Sequence, residues 1–211
     1  MYRRLVIRLH WLLHLVQRCR DSVRAVHKTG EHPSVPEPEL LRRAQVLTHT
    51  LACLSSALLE HVQAQIDGAC CVALTDLLAA GAFPDVASLR DAHEAYVSEV
   101  AARCFVPLGK GGDEVGEQME AMVLVIADGC TAMEVGLATD SLEDRLTGIR
   151  LGLLGSLGGL DQALKRRRGL DAMDWSGRTV ARELGASKRS SGYLGFLTAR
   201  VAAILTALQG P

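Results

Sequence analysis

The chain has few aromatic residues: two tryptophans, three tyrosines and three phenylalanines among 211. That scarcity argues against an aromatic-lined cofactor pocket and against a platform on which bases stack. It also has almost no net charge, formally -1, so no global field drives it towards nucleic acid or an anionic membrane. A local basic patch is still compatible with that balance. Its six cysteines include no C-x-x-C pair, and Cys70 and Cys71 are adjacent. Neither a disulfide framework nor a zinc site has that spacing, so free, mostly buried thiols in a reducing compartment are expected. No run reaches the ~20 apolar residues of a membrane span. The nearest approach, MYRRLVIRLHWLLHLVQRCRD, is broken by Arg8, His10 and His14 and precedes no small-residue cleavage site. It reads as a core helix rather than a signal peptide. No segment shows the period-two alternation of a half-buried strand.

What is present suits a packed all-α protein. Hydrophobic residues make up 48% and charged residues 22%, enough to build a core in one domain spanning residues 1–211. Leu5, Leu9, Leu13 and Val16 recur at helical spacing and predict a first helix reaching about His27. Gly30, Pro33, Pro36 and Pro38 punctuate a loop, and Pro38 suits the first turn of the next helix. Leu40, Leu47, Leu51, Leu54, Leu58 and Val62 then form one long stripe, with a break expected at Gly68 and a glycine C-terminal cap at Gly81.

Ser88 and Asp91 have the spacing of a helix N-cap and its third residue, and Pro107 with GKGGDEVGE predicts a loop. Met119, Met122, Ile126 and Met133 mark another helix, and Leu142, Ile149, Leu153, Leu157, Leu160 and Leu164 a further one. Its glycines at 152, 155, 158 and 159 either weaken it or admit a neighbouring helix closely. The polar stretch from Arg166 to Gly192 predicts a loop with one short helix, followed by a last amphipathic helix to about Leu208. The expected architecture is an elongated helical bundle.

Motifs for chemistry fail on spacing. HEAYV has valine where a zinc-protease helix needs its second histidine, and no paired Glu-x-x-His segments exist for a di-iron site. GKGGDEVGE has the wrong residue order for a phosphate-binding loop and follows no strand. His93 and Cys104 are eleven residues apart, about three helical turns, too far for direct proton transfer. No cofactor, metal or catalytic residue is expected, and the chain reads as a non-enzyme. The dense basic run Lys165, Arg166, Arg167 and Arg168, with Arg42 and Arg43 earlier, supplies the candidate partner-binding residues, suited to an acidic protein surface more than to nucleic acid.

One stretch is more specific. Asp85, Leu89, Ala92-His93-Glu94, Tyr96-Val97, Val100 and Arg103-Cys104 resemble, in residue type and spacing, a signature of the γ-tubulin complex proteins. The first helix, opening with Tyr2, Leu5 and Leu9, and the long helix through Arg43, Leu47, His49 and Leu51 are similar to two further helices of that family, in the same order. The resemblance is clearest over residues 1–106. It departs in the second helix, where Thr50, Ser56 and Ala57 stand in place of family aromatics, and the chain resembles a divergent or truncated member.

The resemblance implies a C-terminal γ-tubulin-binding region, with γ-tubulin and other γ-tubulin complex components as partners. It implies neither nucleic acid nor membrane insertion, and places the protein in the cytoplasm and cytoskeleton, at microtubule-organising centres or spindle poles. Leu89, His93, Tyr96, Val100 and Cys104 are then structural, with His93 and Tyr96 expected on the core-facing side. The alternative expectation is a generic helical scaffold that does not bind γ-tubulin.

Overall fold

A computed structural model describes residues 2–30, 37–105, 114–138, 141–174 and 190–209. Seven helices and no strand occur among them: α1 (Tyr2–Gly30), α2 (Pro38–Ile66), α3 (Ala69–Ala79), α4 (Val86–Arg103), α5 (Glu114–Leu137), α6 (Leu142–Asp174) and α7 (Ser190–Gln209). The protein is all-α. With 33 residues, α6 is about 50 Å long at 1.5 Å per residue, which makes the bundle elongated.

The central helix is α2, which packs against every other helix. A helix so placed must be apolar on more than one face. Leu47, Leu51, Leu54, Leu58 and Val62 are accordingly buried, with the small or satisfied residues Ala44, Thr48, Ser55 and Ala57 filling the remaining directions. The Thr48 hydroxyl donates back to the Ala44 carbonyl at 2.9 Å, so its burial leaves no orphan group. Around α2 stand α1, α5, α6 and α7, whose buried Leu12, Met119, Met122, Ile126, Leu153, Leu157 and Leu197 join one continuous core. The hairpin of α3 and α4 lies to one side, and among the described helices α3 packs on α2 and α4.

Helix ends follow local chemistry. Pro38 occupies the first turn of α2, as expected. The break near Gly68 is also present, between Ile66 and Ala69. At the end of α3 Gly81 has φ +62, and the N–H groups of Gly81 and Ala82 donate to Leu78 and Leu77 carbonyls at 3.1 and 3.0 Å. This is a Schellman cap, for which a left-handed residue without a Cβ is the least strained choice.

Two expectations are corrected. The N-cap of α4 is Asp85, not Ser88: its carboxylate accepts from the Ser88 N–H at 2.7 Å, one turn before the expected start. This bond holds the Asp85 carboxyl below its usual range. Next, α6 does not stop at the basic run but continues to Asp174, because nothing from Lys165 to Asp174 other than Gly169 opposes helix. Residues 175–189 and the stretch GKGGD lie outside the described residues, while EVGE, the remainder of the predicted loop, forms the first turn of α5. The expectation of close approach at the α6 glycines holds in part. Gly155 and Gly158 face open space, but a Cβ at Gly159 would collide with the Gln118 side chain of α5, and one at Gly152 would stand 3.6 Å from Val125. A Cβ at Gly129 of α5 would in turn stand 3.2 Å from the Leu51 side chain and 3.5 Å from that of Ile149.

Candidate functional site

The signature residues knit α4 to the end of α2. The Tyr96 hydroxyl donates to the Ile66 carbonyl at 3.0 Å, and the Cys104 thiol lies 3.9 Å from the Val62 carbonyl. The Ile66 carbonyl, at the very end of α2, has no partner further along the helix, so a side chain from a neighbour can satisfy it. Val100 and Cys104 are buried and Leu89 is half-buried. His93 departs from expectation: it is exposed, its ring 6.3 Å from that of Tyr96. The buried stripe of α4 runs through Val97, Val100 and Ala101 instead, since a helix that rests on a neighbour mainly with its second half leaves its first turns in water.

The end of α4 is the most polar part of the interior. The Arg8 guanidinium reaches from α1 and donates to the Phe105 carbonyl at 2.7 Å, with the Cys104 carbonyl at 3.5 Å and Glu120 of α5 at 3.8 Å. Burial pulls its pKa below the ordinary arginine value, and Glu120 acts against that shift. Phe105 takes the left-handed conformation, φ 55, which a phenylalanine adopts only when its surroundings impose it. Its ring stacks on His61 with centroids 5.4 Å apart. His61 Nε2 lies 3.1 Å from the Arg103 carbonyl and Nδ1 is buried without a partner, so the neutral ring donates through Nε2. Burial lowers the His61 pKa from 6.5, and the carbonyl offsets this only in part. Burial pushes the Cys104 thiol up to about 12, which keeps it protonated and unreactive.

A second buried pair joins α1 to α5. The sulfurs of Cys19 and Cys130 are 3.5 Å apart, and both residues are 0% exposed. The bond from the Cys19 thiol favours a thiolate at Cys130 and lowers its pKa, while the same contact raises that of Cys19. Neither residue had been singled out, since 111 positions separate them and only the packing of α1 on α5 unites them. The remaining thiols divide as the sequence suggested only in part: Cys53 is exposed and Cys71 partly so. No cluster of three or more His, Cys, Asp or Glu able to hold a metal occurs among the described residues.

The candidate partner-binding cations fall into two groups. Arg42 is exposed and 3.9 Å from Glu39, and Arg43 lies 3.6 Å from Glu143 at the start of α6. Lys165 bonds Asp161 at 2.6 Å and Arg166 bonds Glu114 of α5 at 2.5 Å. Glu143 and Lys165 are 22 residues apart on α6, about 33 Å, so the two groups lie at opposite ends of the bundle. Lys165 and Arg166 are exposed and Arg167 half-exposed, while the side chain of Arg168 lies outside the description. No helix among the described residues is long and apolar enough to cross a membrane.

No family model, curated protein or solved structure matches the chain.

Proposed function

We propose that this protein is a non-enzymatic helical scaffold that binds γ-tubulin and supports microtubule nucleation at microtubule-organising centres. The observation that carries the proposal is the patterned segment from Asp85 to Cys104, which resembles the γ-tubulin complex signature in residue type and spacing. The use of Tyr96 and Cys104 to close the end of α2 agrees with a structural role for such a signature. The mechanism is positioning. A stiff bundle whose helices share one core holds bound γ-tubulin at fixed orientation, which lowers the entropic cost of assembling the first lateral contacts. Other γ-tubulin complex components would supply the neighbouring positions, and nucleotide hydrolysis would belong to the tubulins.

A second reading is a general helical adaptor without γ-tubulin binding. The exposure of His93, a signature residue, and the absence of a matching family model favour it. Size-exclusion chromatography with light scattering on the chain mixed with purified γ-tubulin separates the two. A stable one-to-one complex supports the first reading, and separate elution supports the second. If the basic end of α6 forms the contact, reversing Arg166 and Arg167 to glutamate weakens that complex at least tenfold at low salt and by less at high salt. An unchanged affinity removes this run from the interface.

A further inference from the structure

Charge is segregated between two adjacent helices. The sequence of α1 holds seven Arg and Lys against the single carboxylate of Asp21, while that of α5 holds five Asp and Glu and no Lys or Arg. These helices run side by side in the same direction. Arg8 faces Glu120 at 3.8 Å, and further along Arg18 bonds Thr131 at 3.0 Å with Glu134 at 3.5 Å. Arg8 itself is largely buried. Arg3, Arg4 and Lys28 of α1 are exposed, as are Glu117, Glu120, Asp128 and Glu134 of α5, so the outer surface of the pair is positive towards the ends of α1 and negative along α5.

Between those two rungs lie exposed apolar side chains. Trp11 is seven residues before Arg18, and Leu124 is seven before Thr131. Seven residues is two turns, so each shares the edge of its helix that borders the seam. Trp11 is 59% and Leu124 64% exposed, and Ile7, one turn from Trp11, is also exposed. A large aromatic ringed by ion pairs is the usual anchor of a protein interface. A polyanion such as a lipid surface or nucleic acid would lie well on α1 but would meet the carboxylate row of α5 about 10 Å away. The fitting partner must carry negative charge opposite α1 and positive charge opposite α5.

This molecule itself carries such a surface. A twofold axis parallel to both helices, lying between them, sets α1 of one protomer across α5 of the other and keeps every level along the axis. The exposed Arg4 then comes to the level of the partner's Glu117, and Trp11 to that of the partner's Leu124, on both sides of the axis. An isologous contact of this kind needs one self-complementary patch. A patch the length of α5, about 36 Å, and two helices wide, about 20 Å, covers about 700 Å² per protomer. Twice that, about 1,400 Å², falls within the range of stable interfaces, about 1,200–2,000 Å². We infer that the α1–α5 seam is a homodimer interface, in which a second copy of this chain docks with Trp11 against Leu124 and charged stripes crossed.

Light scattering on the full chain tests this. At about 50 µM and low salt the mass should be twice 22.6 kDa. It should fall to the monomer value in high salt and in Trp11→Asp or Leu124→Asp, each weakening association at least tenfold. A monomer at that concentration, or a dimer unaffected by both substitutions together, overturns the inference. Cross-linking keeps the test decisive if an aspartate variant fails to fold. In a Cys53→Ser background, Trp11→Cys chains mixed with Leu124→Cys chains should form a disulfide-linked pair under mild oxidation. Cross-linking as strong in either variant alone, or none in the mixture, overturns the interface. The result is independent of γ-tubulin.

Discussion

His61 shows how one residue can make the whole bundle sensitive to acid. Its folded pKa lies below 6.5, so the folded state binds fewer protons than the unfolded state once the pH drops below that value. Stability therefore rises with pH through that window and is lost as pH falls below about 6.5, by at most about 1.4 kcal/mol per pH unit. Urea unfolding at pH 7.5 and pH 5.5 should show a larger fall in midpoint for the native chain than for His61→Gln. Equal falls would mean that other groups carry the acid sensitivity. Two neighbours in the signature should part company in the same assay. Tyr96→Phe removes a hydrogen bond to the last turn of α2 and should cost about 1 kcal/mol, whereas His93→Ala, at an exposed site, should stay within about 0.5 kcal/mol. A larger cost at His93 would return it to the structural role that the sequence suggested.

Among the elements, α5 and α6 show what a glycine does in a helix. Gly155 faces open space, so Gly155→Ala should stabilise the protein by about 0.5–1 kcal/mol through helix propensity alone. Gly129 meets Leu51 and Ile149, so Gly129→Val should overpack that contact and cost about 1–3 kcal/mol. Thermal melts of the two variants should move in opposite directions. A neutral Gly129→Val would show that α5 can draw back from α2 and α6 without loss. Apolar periodicity located both helices, but it could not say which glycine lies at a crossing. Of the four α6 glycines expected to weaken the helix or admit a neighbour, Gly159 meets Gln118 of α5 whereas Gly155 and Gly158 meet nothing. Proximity depends on which face meets a neighbour, and that is a property of the assembled bundle.

On the scale of the whole molecule, stability should be uneven. The core runs through α1, α2, α5, α6, α7 and the end of α4, while α3 rests, among the described helices, on α2 and α4 alone. Segments with few partners open at lower free energy than the bundle around them. Hydrogen exchange should therefore show amides of α3 exchanging well before those of the middle of α2, and equal protection would indicate that the two unfold as one unit.

The all-α class, the broad helix positions, the cap at Gly81 and the failure of every catalytic motif could all be read from the chain, because each depends on residues within a few turns of one another. The start of α4 was misread by three residues because Asp85 and Ser88 are both good capping types, and only backbone geometry shows which of them accepts the bond. The tertiary structure alone decided that His93 stays in water, that Cys19 meets Cys130, that Arg8 and His61 close the end of α4, and that Arg43 and Lys165 lie far apart. Each of those facts concerns residues that are distant in sequence or the depth at which one helix rests on another. Local pattern specifies the face a helix will bury, but the packing of the other helices determines how much of that face is covered and by which partners.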